Sequence, residues 1–203
     1  MSCRLALAFS IAHAMMIIMR YPEAHKEAVH ERIVRSAAGA LRRRGIKGIG
    51  IPALMKEAGL THGGFYTHFK NRDALVAEAI RSAASDTAKG PLADGKTLAE
   101  SLRLYLSMGH VEHPEQGCVV AALAAESARQ SKPVRRAFAE AARLLLRHID
   151  AKLHPADRAG ADPSEDALRV AATMVGAVVL ARAVDDAPLA ERILRAARHV
   201  AAD

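Results

Sequence analysis

The sequence predicts an all-α chain in two parts, an N-terminal three-helix unit built around a helix-turn-helix and a larger helical domain after it. Three observations predict this. Aromatic residues make up only 3% of the 203 residues, Trp is absent, Ala and Leu dominate and β-branched runs are scarce, which is a helical composition. The stretch Ile51 to Phe69, IPALMKEAGLTHGGFYTHF, reads as two short helices around a tight turn. The charge is also localised: from Lys26 to Arg81 there are eleven Lys or Arg against five Asp or Glu, so this segment carries six of the net +7. At 51% hydrophobic and 25% charged, the chain can bury one or two cores.

Residues 1–18, MSCRLALAFSIAHAMMII, differ in character from the rest of the chain. Arg4 before a mostly apolar run resembles a signal peptide or short membrane anchor. Ser10 and His13 interrupt that run, however, and it is short for a bilayer span, with no clear small-residue cleavage site after it. We expect a start assigned too early, with the mature chain beginning near Met19. An appended helix packed on the body and true targeting are the competing readings. Cys3 and Cys118 are the two cysteines; they cannot build a disulfide framework, so a reducing cytoplasm is the expected compartment.

The first helix is expected from about Pro22 to Arg44. Val29, Ile33, Val34, Ala37, Ala40 and Leu41 recur at helical spacing, with Arg32, Arg35, Arg42, Arg43 and Arg44 on the opposite face. Gly45 closes it, behind an Arg triplet that suits the negative end of the helix dipole. In the helix-turn-helix, Leu54, Met55 and Ala58 form an apolar face, Gly59 breaks the helix, Leu60 plugs the turn and Thr61 is placed to cap the second helix. Phe65 and Phe69 anchor that helix in a core. Thr61, His62, Gly63, Tyr66, Thr67 and His68 then face outward or along the rim, and none is acidic, which suits a phosphate backbone and a major groove. Asn71 caps the next helix, with Arg72 in its first turn and Leu75, Val76, Ala79 and Ile80 on its inner face.

Gly45, Leu54, Ala58-Gly59-Leu60-Thr61, Gly63, Phe65-Tyr66, His68-Phe69, Lys70-Asn71 and Leu75 together resemble the N-terminal domain of the tetracycline-repressor (TetR) family of bacterial transcriptional regulators. The resemblance implies a DNA-binding domain over 22–81 and a ligand-binding and dimerisation domain over 82–203, with no enzyme activity and no cofactor. Under it, Thr61, Tyr66 and His68 would contact phosphates, and Lys47, Lys70 and Arg72 would add charge around them. Gly63 would allow close approach to the duplex, and His62 and Thr67 would read base edges. Two bland readings stay open: His62 as a helix-start residue and Tyr66 as a core residue. Family members often carry Thr or Ser where this chain has Gly48 and Gly50, so a phosphate contact there is not carried over.

Beyond Ala88 the basic character is lost and KGPLADGKT marks a turn. Helices are then expected over about Leu98 to Glu112, Cys118 to Gln130, and Ser131 to Leu153. HPADRAGADP reads as a linker. Pro163 and Pro188 look like first-turn prolines of two last helices, about Ser164 to Val184 and Leu189 to Ala201. The first of these is apolar almost all round, so it must be covered on several sides. Arg169 and Arg182 within it argue against a membrane span. The family resemblance supplies a cover, a homodimer through the last two helices that would read a palindromic double-stranded operator.

The resemblance also implies a pocket for an unknown small-molecule inducer, for which the apolar or adaptable candidates are Leu102, Tyr105, Leu106, Met108, Cys118, Leu123, Phe138 and Leu145. Cys118 follows Gly117 at an expected helix start, where N–H groups and the dipole could favour a thiolate. Gly117, Cys118, Ala121 to Leu123 and Glu126 resemble a subgroup that includes electrophile sensors, which makes Cys118 the redox-sensing candidate; a buried small hydrophobe is the competing reading. His110, His113 and Cys118 have the residue types of a metal set, but a helix end expected between the two His beside Pro114 argues against it, and no metal site is assigned. The expected function is a one-component regulator, most simply a repressor released by its inducer. The alternative is a helical small-molecule-binding protein or enzyme with an incidental DNA-binding domain, which no Ser-His-Asp set, carboxylate pair or phosphate loop supports. A third, a sequence-indifferent architectural DNA binder, predicts equal affinity for random duplex.

Overall fold

A computed structural model describes residues 23–155 and 162–201. The expectations for residues 1–18, for a helix start at Pro22 and for much of the linker fall outside the described residues. Those described form ten α-helices and two 3-10 turns, with no strand among them. No helix among them is long and apolar enough to cross a membrane.

Helix α1, Glu23–Arg44, buries the expected stripe and ends at Gly45, whose φ of 74° is left-handed. One residue departs from its expected face. Arg42 is not with the solvated arginines but only 8% exposed. Its Nη1 donates to the Gly117 and Ala83 carbonyls at 3.3 and 3.5 Å, and its Nη2 to Asp86 at 3.3 Å. The burial of its stem and its long-range acceptors outweigh solvation of the head.

Helix α2, Ile51–Glu57, closes in a Schellman motif: Gly59 N–H donates to Lys56 and Leu60 N–H to Met55, with Gly59 at φ 72°. The second helix is less regular than expected, a 3-10 turn at His62–Gly64 running into α3, Phe65–His68. Thr61 occupies the cap position, yet its hydroxyl makes no capping bond. The paired glycines tighten this start to a 3-10 turn closed by Gly64 N–H on the Thr61 carbonyl. Helix α4, Arg72–Lys89, starts at Asn71, whose side chain accepts from Ala74 N–H at 2.9 Å. It packs on α1 and on the long α8, Lys132–Leu153. Residue 81, where the sequence divides into its two expected domains, lies inside α4.

The single helix expected over 98–112 is two, α5 at Leu98–Tyr105 and α6 at Met108–Glu112. Leu106 leaves the helical region with ψ 59°, and the Ser107 hydroxyl caps the second piece by accepting from His110 N–H. A 3-10 turn at Pro114–Gln116 leads to α7, Val119–Ser127, with Cys118 at its cap; α7 ends short of the expected Gln130. Helix α7 sits centrally, against α1, α4, α8 and the penultimate helix α9, Glu165–Ala183. Ser164 caps α9 by accepting from Ala167 N–H, so Pro163 lies just outside that helix. Asp186 caps α10, Ala187–Val200, which carries Pro188 in its first turn. Helices α9 and α10 pack on each other, and α9 buries Val170, Met174 and Val178. Its other side, however, leaves Leu168, Val179 and Leu180 exposed, the last by 58%.

Candidate nucleic-acid interface and sensor cleft

The interface begins with two anchors. Phe65 and Phe69 are buried and stacked with ring centroids 5.6 Å apart, which fixes the short α3 on the core. Tyr66 is then 65% exposed, edge-on to Phe65 at 5.2 Å and to His62 at 6.3 Å. Core packing does not describe it. Lys47, Thr61, His62, Gly63, Thr67 and Lys70 are also exposed. A Cβ at Gly63 would meet no atom within 4 Å, so nothing in the chain itself demands glycine there. Gly48 differs, because a Cβ would lie 2.3 Å from the Arg44 carbonyl oxygen.

Two of the expected phosphate contacts are held inward. His68 is half-buried, its ring 6.0 Å from that of His30, and its Nδ1 is buried without a hydrogen-bond partner. Burial first, then His30 and Lys26, lower its pKa and keep it neutral. Arg72 is half-buried, and its Nη2 donates to the Ile46 carbonyl. On the other side of the same residue, Ile46 N–H donates to Glu126 of α7 at 3.0 Å.

The inducer candidates divide. Tyr105 and Cys118, both buried, line a cleft of about 410 Å³ together with Thr87, Leu104, Ser107, His110, His113, Gln116 and Gly117. Leu145 and Cys118 border a separate void of about 10 Å³, room for one water at most. Leu102, Leu106 and Leu123 are core residues, Met108 and Phe138 are partly buried against that core, and none of these five borders either space.

Sequence reasoning missed what holds the cleft. His110 Nδ1 lies 2.7 Å from the Tyr105 carbonyl and must donate to it, while Nε2 accepts from Cys118 N–H at 2.8 Å. Both partners together fix one neutral tautomer. Burial, the largest influence, takes His110 down to about 4; the bond to Tyr105 opposes this and Arg182 adds to it. From α9, Arg182 Nη2 donates to the His110 carbonyl at 2.6 Å, and from α10 Arg198 donates to Leu106. Gly117 makes this packing possible, since a Cβ there would lie 2.5 Å from the His110 ring and 2.8 Å from Arg182 Nη2. The Tyr105 hydroxyl is wholly buried beside the Cys118 sulfur without a well-formed hydrogen bond. Burial, then Cys118, holds it well above the ordinary tyrosine range against the pull of Arg182, so it remains a neutral donor. No group of three or more His, Cys, Asp or Glu among the described residues is placed to hold a metal ion.

The fold that carries these residues is that of a known family. Residues 33–79 match the family described as bacterial regulatory proteins, tetR family, and residues 96–197 match the tetracyclin repressor-like C-terminal domain. The chain belongs to the TetR family. A TetR regulator from Chloroflexus aurantiacus is 26% identical, over 85% of this chain and 93% of that one, with a TM-score of 0.67. The reduced form of NemR from E. coli is 19% identical, covers 85% of this chain and 95% of its own, and superposes with a TM-score of 0.66. FadR from Bacillus subtilis, solved in complex with stearoyl-CoA, is 16% identical over 82% of this chain and 96% of its own, with a TM-score of 0.55. Among curated proteins none matches. As a TetR-family protein the chain is a ligand-responsive, DNA-binding transcriptional regulator.

Proposed function

We propose that this regulator is a cytoplasmic repressor that binds a palindromic operator as a homodimer and leaves it when a small molecule or electrophile engages the cleft beside Cys118. The observation that carries the DNA half is the exposed face of Thr61, His62, Gly63, Tyr66 and Thr67, with Lys47 and Lys70 exposed around it. Tyr66 and Thr61 hydroxyls position the duplex by its phosphates, and His62 and Thr67 read bases. The apolar side of α9 supports the homodimer, because Leu168, Ala172, Val179 and Leu180 are exposed and recur at helical spacing, with the half-buried Gly176 between them. A two-fold axis there presents two reading helices to two half-sites.

The cleft supports a small inducer. Its volume is at the lower end for drug-sized ligands, a poor match to a long acyl thioester such as the stearoyl-CoA held by FadR. Tyr105 lines it, and its buried hydroxyl has no well-formed partner, so an occupant that reaches this hydroxyl with an acceptor is favoured. Cys118 is a free buried thiol, and occupancy of the cleft is its route to reagents. One similar structure, NemR, is of a reduced form, which accords with Cys118 as a redox-responsive group.

The test is binding to the duplex upstream of the protein's own gene, beside a scrambled duplex, at fixed moderate salt. Preference for the upstream duplex is expected, with Tyr66→Ala weakening it about tenfold, the loss of a phosphate hydrogen bond and its packing. Equal binding to both duplexes, unaltered in Tyr66→Ala, would overturn the assignment of the interface.

A further inference from the structure

Helix α7 spans the distance between the cleft and the reading head. At its start, Cys118 N–H is held by His110, and the Gly117 carbonyl is held by Arg42 from the last turn of α1. At its end, Glu126 accepts from Ile46 N–H, in the turn that leaves α1 for the helix-turn-helix. Among the described residues no other hydrogen bond runs from the C-terminal domain into residues 45–71. The carboxylate sits so close to that turn that a Cβ on Gly45 would fall 2.1 Å from Glu126 Oε1. The carbonyl of the same Ile46 takes the Arg72 guanidinium, which belongs to the first turn after the recognition helix. Ile46 is thus clamped between a sensor-domain carboxylate and a reading-head cation.

We propose that Glu126 is a positioning residue for DNA binding: through Ile46 and Arg72 it sets the seat of the recognition helix according to the state of the cleft at the other end of α7. This rests on reading the cleft as the inducer's site. A nine-residue helix is short and stiff, so a shift imposed at its Cys118 end reaches Glu126 as a displacement of the whole rod. The Glu126 to Ile46 bond is charge-assisted and partly buried, so it follows the helix. An occupant that separates His110 from Cys118 N–H releases the start of α7, and the Ile46 joint moves with it.

Amide hydrogen exchange of the full chain, without DNA or added ligand, tests this on wild type, His110→Ala, Glu126→Ala and the double variant. Removing the imidazole perturbs the cleft end of α7. In residues 46–69 exchange is expected to rise about tenfold in His110→Ala, but to rise less than about twofold when the same change is added to Glu126→Ala. Glu126→Gln, which keeps both reach and acceptor, restores the response, as a purely structural carboxylate would not require. The same rise in both backgrounds, or none in either, overturns the proposal. Should His110→Ala not fold, Gly117→Ala presses the same imidazole and serves in its place. Because neither DNA nor inducer enters, the cycle is read whether or not the cleft is the inducer's site; that reading falls separately, if cleft variants respond to inducers as wild type does in the DNA assay.

Discussion

His110 takes a proton at about 4 in the folded chain and at the ordinary histidine value of 6.5 when solvated. Its Nε2 cannot accept a proton and the Cys118 N–H together. Stability from this residue is therefore complete above pH 6.5 and is lost as the pH falls toward 4, by at most about 3 kcal/mol. Urea unfolding midpoints measured from about pH 7.5 to 4.5, which brackets most of that window, should fall in wild type and fall less steeply in His110→Gln; equal slopes would remove His110 from the account. His68 and His148 shift in the same direction, so the difference between the two proteins is the informative quantity. None of this was legible in the sequence, where His110 showed only as one member of a His-x-x-His spacing. Spacing along a chain says nothing of a carbonyl five residues back and an amide eight ahead joined across a helix break. Tyr66 was legible, because Phe65 and Phe69 already claim the core side of so short a helix.

Elements with local stop signals are legible in the sequence, and those defined by distant partners are not. Gly45, Gly59 and Asn71 mark their helix ends by backbone and side-chain chemistry contained within a few residues. The break at Leu106–Ser107 has no glycine or proline; a serine cap and the Arg198 bond to the Leu106 carbonyl hold it, and the second partner lies 92 residues away. Arg42 was hidden for the same reason, since its acceptors come from α4 and from Gly117. Two of the left-handed glycines, Gly45 and Gly59, separate the local and distant contributions. Gly59→Ala should cost about 1 to 2 kcal/mol, the strain of the backbone alone, because open space surrounds it. Gly45→Ala should cost visibly more, its methyl colliding with Glu126, and the excess should vanish in a Glu126→Ala background. Denaturant titration of the four proteins checks this, and equal costs at the two glycines would contradict it.

At the scale of the whole molecule the uncovered side of α9 is the proposed dimer face. A charge in its middle would have to be buried unpaired in any dimer built on it, so Leu180→Glu should weaken self-association by about 100-fold or more. Sedimentation velocity across a concentration series reads this directly; a variant that stays as associated as wild type would place the interface elsewhere. The paired grip on the end of α1, by Gly117 through Arg42 and by Glu126 through Ile46, has a consequence for anyone exchanging parts between such regulators. The DNA-reading portion is not a cartridge that unplugs at a loop. Grafted onto a foreign sensor, it would arrive with a buried guanidinium and an amide both seeking acceptors, and the recipient would have to provide an oxygen for each. A lineage that trades one target sequence for another is freer to alter the outward face of the recognition helix than to replace the head, so, with His62 and Thr67 as the proposed base readers, new specificities should arise by substitution there sooner than by recombination.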